Sequence, residues 1–309
     1  MSTIIAKRNP RAFKTLPLFV EASPEGLSYQ ALGQPLNFSQ MLERRRPVEV
    51  ADSQRFALEL ANLGVSVRLT LTWQGRDYWL LVRQQRQDRG DVVLKPISGY
   101  VPAHELNLPL LTAIQEVAEE CLLQTPQCWL TGRFGDTWLP APYENVLHYC
   151  DNTSFRLSPL SGAARPVSCG SMPLLERPRA YVHLPTASLQ LVYDMRLEIP
   201  GNLRQLSLLH ADECLEEGTL IARIDHDSPD LYLLPFDQDR RPADELYTLQ
   251  QGVLHPVDTR DLWLAESFAP QDGWVVRDER ISWRDWQALW DAPEQNLARP
   301  APRRSGAAG

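Results

Sequence analysis

A chain of 309 residues, 43% hydrophobic and 23% charged, carries enough apolar material for one large domain or two modest ones, with the balance of a soluble globular protein. A formal net charge of −8 and a pI near 5.3 exclude nucleic-acid binding through the overall field; a local basic patch is a separate matter. No apolar run approaches the roughly 18 residues of a membrane helix, and the opening from Met1 to Phe13 lacks the apolar core of a signal peptide, so a cytoplasmic protein without a membrane partner is expected.

Residues 1–60 read as an N-terminal extension of short Pro-bounded segments. Within it Phe56, Leu60 and Leu63 recur at helical spacing, which predicts a helix over Asp52–Leu63 capped by Asp52 or Ser53. The period then changes to two. Val65–Trp73 and Tyr78–Gln84 alternate as half-buried strands about a turn at Gln74-Gly75, which predicts a hairpin. A charged loop, Gln85–Gly90, precedes a third strand over Asp91–Pro96, then Ser98-Gly99, then a helix over Asn107–Leu123 with Asn107 as cap and Pro109 in the first turn.

Beyond that helix Gln127–Gly132 reads as a strand, and residues 133–180, rich in Pro, Gly and Ser, as an irregular insertion or long loop. Strand patterns resume at Ala187–Ile199, Thr219–Ile224 and Leu231–Pro235. A C-terminal element over 261–298 ends in a short helix, Ser282–Trp290, with Trp283, Trp286 and Trp290 on one stripe; residues 299–309 read as a disordered tail. The cysteines Cys121, Cys128, Cys150, Cys169 and Cys214 are odd in number and form no C-x-x-C pair, so inert thiols are expected rather than a disulfide framework or zinc ribbon.

The helix after Asn107 carries the strongest chemical signal. Glu116, Glu119 and Glu120 fall at i, i+3 and i+4 and crowd one face, where like charges repel by a few tenths of a kcal/mol per pair. Hard oxygen ligands gathered this way suit Mg²⁺ or Mn²⁺. A plainer reading is a solvated acidic face, with Leu110, Ile114, Val117 and Cys121 on the opposite side.

Strand hairpin, strand, Gly-containing loop, Glu and acidic helix in this order resemble the Nudix hydrolase family, whose box is G-x5-E-x7-R-E-U-x-E-E-x-G-U with U a bulky aliphatic residue. Glu116, Val117, Glu119, Glu120 and Leu123 match its second half, and Gly99 and Glu105 have the five-residue spacing of its first half. Nine residues rather than seven separate Glu105 from Gln115, so this alignment needs a two-residue insertion; strict register puts Val101 and Asn107 at the first two motif positions. Gln115 stands at the box arginine and Leu122 at its second glycine. The resemblance covers about residues 65–132 and places the principal domain at 61–260.

The resemblance implies an α+β fold, an α/β/α sandwich around a mixed sheet, with the N-terminal extension, long insertion and C-terminal element added. It implies a metal-dependent hydrolase that cleaves the pyrophosphate linkage of a nucleoside diphosphate derivative. Glu116, Glu119, Glu120 and the Gly99 carbonyl would hold Mg²⁺ or Mn²⁺. Glu119 or Glu120 would orient or deprotonate water, with Glu105 auxiliary. Arg83 and Arg86 would grip phosphate. Gln115, Leu122 and the stretched box equally suit a Nudix-fold nucleotide-binding or interaction module without turnover; a homodimer is left open. Lesser candidates each have a plainer reading: Asp225-His226-Asp227 as a polar turn, Ser168-Cys169-Gly170-Ser171 without a nucleophile elbow, the C-terminal tryptophans as core, and Glu213, Glu216 and Glu217 as an exposed acidic helix or turn.

Overall fold

A computed structural model describes residues 2–6, 14–85, 92–160, 162–163, 165–216, 219–265, 273–277 and 280–286. The fold is mixed α+β, dominated by strands of one large, branched, mixed sheet. The elements that position the candidate site are β1 (Leu18–Ser23), β2 (Gly26–Ala31), α1 (Phe38–Arg44), β3 (Phe56–Trp73), β4 (Arg76–Gln85), β5 (Val92–Lys95), β6 (Ile97–Tyr100), α2 (Pro109–Glu120), β7 (Cys121–Gln124), β8 (Trp129–Phe134), β9 (Tyr149–Pro159), β10 (Arg179–His183), β11 (Ser188–Glu198), β12 (Ser207–Glu216), β13 (Thr219–Asp225), β14 (Leu231–Phe236) and α3 (Trp283–Trp286). No helix among the described residues is long and apolar enough to cross a membrane.

The central ladder is β3 against β11, parallel from Ser188 opposite Asn62 to Leu197 opposite Leu71. On the other edge of β3, β6 pairs antiparallel with Gly64–Val67 and β4 with Leu69–Trp73. The expected hairpin forms: Gln74 and Gly75 have φ +51° and +79°, as a two-residue turn of the type I′ class requires. Alternation sorts the two faces of the sheet. Val65, Val67, Leu69 and Leu71 of β3 and Leu189, Leu191, Tyr193 and Met195 of β11 join the main core, which also receives Ala113, Ile114 and Val117 of α2. Arg68, Thr70 and Asp194 point to the other face, where Trp79, Leu81, Leu94, Leu234, Trp283 and Trp286 form a second cluster.

Of the helix expected over Asp52–Leu63, Phe56–Leu63 is instead the first part of β3, and Asp52–Arg55 lead into it without regular structure. Val20 pairs with Leu58 and Leu18 with Ala61, across a register shift, so long-range pairing overrides the helical spacing of Phe56, Leu60 and Leu63. The boundary at residue 60 thus falls inside a strand, and the first 60 residues are stitched into the sheet through β1 and through Ser2–Ala6 along β13. The segment 133–180, expected to be irregular, also contributes strands between its loops. β9 runs parallel to β8 and antiparallel to β11, Val167–Cys169 lies along β2, and β10 lines the free side of β11. Its polar composition hid the buried Phe155 and Leu157.

Several smaller readings resolve directly. Asp225 accepts hydrogen bonds from the backbone N–H groups of Asp227 and Ser228, so Asp225-His226-Asp227 is a polar turn. In Ser168-Cys169-Gly170-Ser171 the first two residues end the strand Val167–Cys169 and Gly170-Ser171 is the tight turn to Met172-Pro173. Glu213 and Glu216 lie in strand β12 rather than a helix or turn, and Glu217 is outside the described residues. Trp283 and Trp286 pack in the second cluster with ring centroids 5.4 Å apart, which makes them core; Trp290, the tail 299–309 and the loop through Arg86 lie outside the described residues.

The absence of a disulfide is also corrected. Cys128 and Cys150 are bonded with Cα atoms 5.2 Å apart, joining the starts of β8 and β9. Two cysteines separated by 22 residues gave no sequence motif; the parallel pairing of Trp129 with Tyr149 brings them together. Such bonds persist chiefly in oxidising compartments, which sets this one against the expected cytoplasmic location. Cys121 is a buried free thiol, as expected, with burial and then Glu120 pushing it up to about 12.

On the far face Arg68 donates through Nε and Nη2 to both oxygens of Asp194, at 2.6 and 2.8 Å. Burial pushes the Asp194 carboxyl up, but Arg68 and Arg179 outweigh it and hold it below its usual range. A depressed carboxyl stabilises the fold above its unfolded value near 3.9 and loses that contribution as pH falls. Asp194→Asn is therefore expected to destabilise by about 3 kcal/mol at pH 7, with the gap from wild type closing below about pH 4 in urea melts across that range. Cys150→Ser is expected to cost about 3 kcal/mol by loop-closure entropy, and dithiothreitol should lower the wild-type melting temperature to that of the variant.

Candidate functional site

α2 forms because Pro109 sits at its first turn with φ already helical and Ala113, Ile114, Val117 and Cys121 give it a core-facing stripe. Its N-cap is Leu108, which offers no side-chain bond, rather than Asn107. Asn107 Oδ1 instead accepts a hydrogen bond from the Cys169 thiol at 2.9 Å, while Tyr29 Oη donates to the Leu106 carbonyl at 3.0 Å, so the entry loop is tied to β2 and its neighbour. The helix stops at Glu120, not Leu123: Cys121 takes extended angles and β7 begins at once, pairing Cys121 with His210 of β12. Leu122, at the box glycine, packs in a third cluster with Trp129, Leu147 and Leu209.

The acids of α2 do not form a solvated face. Glu120 is 8% exposed, Glu116 and Glu119 are half-buried, and on α2 only Leu111 and Gln115 are exposed. Glu116 lies against Gly99 on β6: a Cβ at Gly99 would collide with the Glu116 carboxylate, so this contact needs glycine. The structure thus brings together Gly99 and Glu116, which stand 17 residues apart in the sequence. It does so because Gly99 stands opposite Val65 on the α2 side of the sheet.

Glu105 ends a short 3₁₀ turn, Ala103–Glu105, and is 8% exposed. Thr112 Oγ1 donates to its Oε2 at 2.6 Å. Thr112, Glu116 and Glu120 follow at four-residue intervals, each about 6 Å further along the axis, so Glu105 anchors the start of the acidic stripe. Arg83 stands elsewhere. It faces Leu94 in the ladder, on the side of the second cluster, and is 3.4 Å from Asp230. Gln115 is exposed.

Two residues unmarked in the sequence complete the site. His210 is 5% exposed, with Nε2 3.7 Å from Glu120 Oε2, beyond hydrogen-bond length. Both Glu120 Oε2 and His210 Nδ1 are enclosed without a hydrogen-bond partner. Tyr143, at a left-handed φ of +61°, closes over the end of α2 and donates to the Glu119 carbonyl at 3.2 Å. Burial, then Glu119 and Glu120, raise its phenol. A lone histidine in the apolar run Leu206–Ala211 was the available signal for His210; Tyr143 left none within the polar segment 133–180.

Carboxylate oxygens are donors that suit a hard cation, and Glu120 Oε2 is enclosed without a hydrogen bond, its neighbour being His210 at 3.7 Å. As placed, however, no three His, Cys, Asp or Glu side chains among the described residues stand together closely enough to hold an ion. No family profile and no curated protein matches the chain. Gly99→Ala is expected to destabilise by about 1–3 kcal/mol through overpacking and to displace Glu116; a melting temperature equal to wild type would contradict the contact.

Proposed function

We propose that the chain is a metal-dependent hydrolase with a Nudix-like fold, cleaving the pyrophosphate linkage of a nucleoside diphosphate joined to another group. The observation that carries this reading is the contact of Gly99 with Glu116, which unites the two halves of the matched motif. The enclosed oxygen of Glu120, which makes no hydrogen bond, supports it. Glu116, Glu119 and Glu120, with the Gly99 carbonyl, would hold Mg²⁺ or Mn²⁺. Such an ion neutralises phosphate charge and lowers the pKa of bound water.

The chain's own residues have distinct parts in this reading. Glu119 or Glu120 accepts the proton of the attacking water. Glu105 keeps the helix entry in place through Thr112. Tyr143 and the segment around it cover the C-terminal end of α2 and limit water there. Arg83, which already faces Asp230, contributes to phosphate binding only by leaving that partner.

A second reading, a nucleotide-binding module without turnover, draws on three observations. Gln115 is exposed rather than orienting a catalytic acid, Leu122 is locked in an apolar cluster, and no three-ligand set is assembled among the described residues. A panel of dinucleotides, nucleotide sugars and nucleoside triphosphates with Mg²⁺ or Mn²⁺ separates the two. Hydrolysis of one class, reduced at least about 100-fold by Glu119→Gln or Glu120→Gln with folding retained, is the expected outcome. A nucleotide that raises the melting temperature and is never cleaved would establish the second reading.

A further inference from the structure

On the sheet face opposite α2, four guanidinium groups share two carboxylates. Arg68 of β3 spends Nε and Nη2 on Asp194 of β11, and Arg179 of β10 holds an Nη2 3.7 Å from the same carboxylate. Arg196 donates to Thr72 Oγ1 at 2.8 Å and stands 3.8 Å from Asp77. Arg240, in the turn after β14, lies over the Phe236 ring at 5.8 Å and interacts electrostatically with Arg68, Asp194, Arg196 and Asp77. Alternation explains the gathering: Arg68 faces Asp194 across the β3–β11 ladder, Arg196 follows two residues along, and Arg179 begins the strand on the other side.

A self-contained ion-pair network closes its charge and its hydrogen bonds. This one does neither. Four positive groups against two negative ones leave an excess of two charges. The Nε atoms of Arg179 and Arg240 are enclosed with no hydrogen-bond acceptor. The cluster is nevertheless reachable, since the side chains of Arg68 and Arg179 keep 19% and 16% of their exposure and Arg240 is half-buried. Burial, then Arg68 and Arg240, bring the Arg179 guanidinium down to about 10, as expected where cations are held together without enough counter-charge.

We infer that Arg68, Arg179 and Arg240 form a binding site for a phosphate dianion, either free or as the terminal monoester of a small molecule. Two negative charges match the excess. Tetrahedral oxygens can accept from several guanidinium forks at once, and guanidinium gives up hydration more readily than ammonium. Arg68 retains its Nη1 edge for this purpose, while Asp194 fixes the orientation of that guanidinium. The site lies on the far side of the sheet from the acidic helix and does not depend on the function proposed for it.

Calorimetric titration of the full chain without divalent cations, using inorganic phosphate and ribose 5-phosphate against sodium chloride at equal ionic strength, tests the inference. Saturable binding of at least one phosphate ligand is expected; the tighter of the two identifies free phosphate or the monoester as the ligand. Arg240→Gln should weaken it at least tenfold while leaving the melting temperature near wild type, and Arg240→Lys, which keeps charge but loses the fork, should weaken it several-fold. Glu120→Gln should leave it unchanged. Absence of saturable binding by both ligands, or equal affinity in Arg240→Gln and Arg240→Lys, overturns the inference; the wild-type titration alone decides if Arg240→Gln does not fold.

Discussion

Parallel pairing of β3 with β11, sustained from Asn62 to Leu71, is the constraint on which the remaining architecture rests. Two parallel neighbours cannot be joined by a tight turn, so the intervening chain must leave the sheet and return. That excursion contains strands β4 to β10 and α2. Because β3 and β11 are buried on both faces, the ladder also divides the molecule chemically. One face seats α2 and its acids against a continuous apolar core, whereas the other collects arginines beside a tryptophan-rich cluster.

The acidic helix illustrates how packing alters a motif's meaning. Spacing alone makes Glu116, Glu119 and Glu120 a charged stripe that water could solvate. Insertion between β6, β12 and the segment around Tyr143 removes much of that water, leaving Glu120 enclosed beside His210. Burial of a carboxylate without a full set of hydrogen bonds is costly and calls for a compensating partner. The proposed cation supplies one physical answer, with Gly99 providing the space for Glu116 that a side chain would deny.

Local signals were legible where backbone chemistry and periodicity agreed. Gln74-Gly75 between alternating segments specifies its turn, and Pro109 followed by Ile114 and Val117 specifies most of α2. Legibility failed where distant partners decided the outcome. Phe56, Leu60 and Leu63 fit a helix until Leu18 and Val20 pair with that stretch. Tyr149–Pro159 looks irregular because only Phe155 and Leu157 carry its buried side, and Cys128 meets Cys150 solely through the β8–β9 ladder. The helix terminus was overrun for the same reason: Cys121, Leu122 and Leu123 continue the apolar pattern of α2 but find strand partners in β12. Within the site, Gly99, Glu105 and the three α2 acids were visible as residue types at defined spacing. His210 and Tyr143 arrive from remote segments, and no local pattern announces their position.

The central claim is that the acids of α2 bind a divalent cation, and it is tested most directly by titrating Mn²⁺ into the full chain and following free ion by electron paramagnetic resonance. One saturable ion per chain, lost in Glu116→Gln and in Glu120→Gln while Arg240→Gln retains it, is the predicted result. Absence of saturable binding in the wild type, or binding in both glutamate variants as tight as in the wild type, would contradict it.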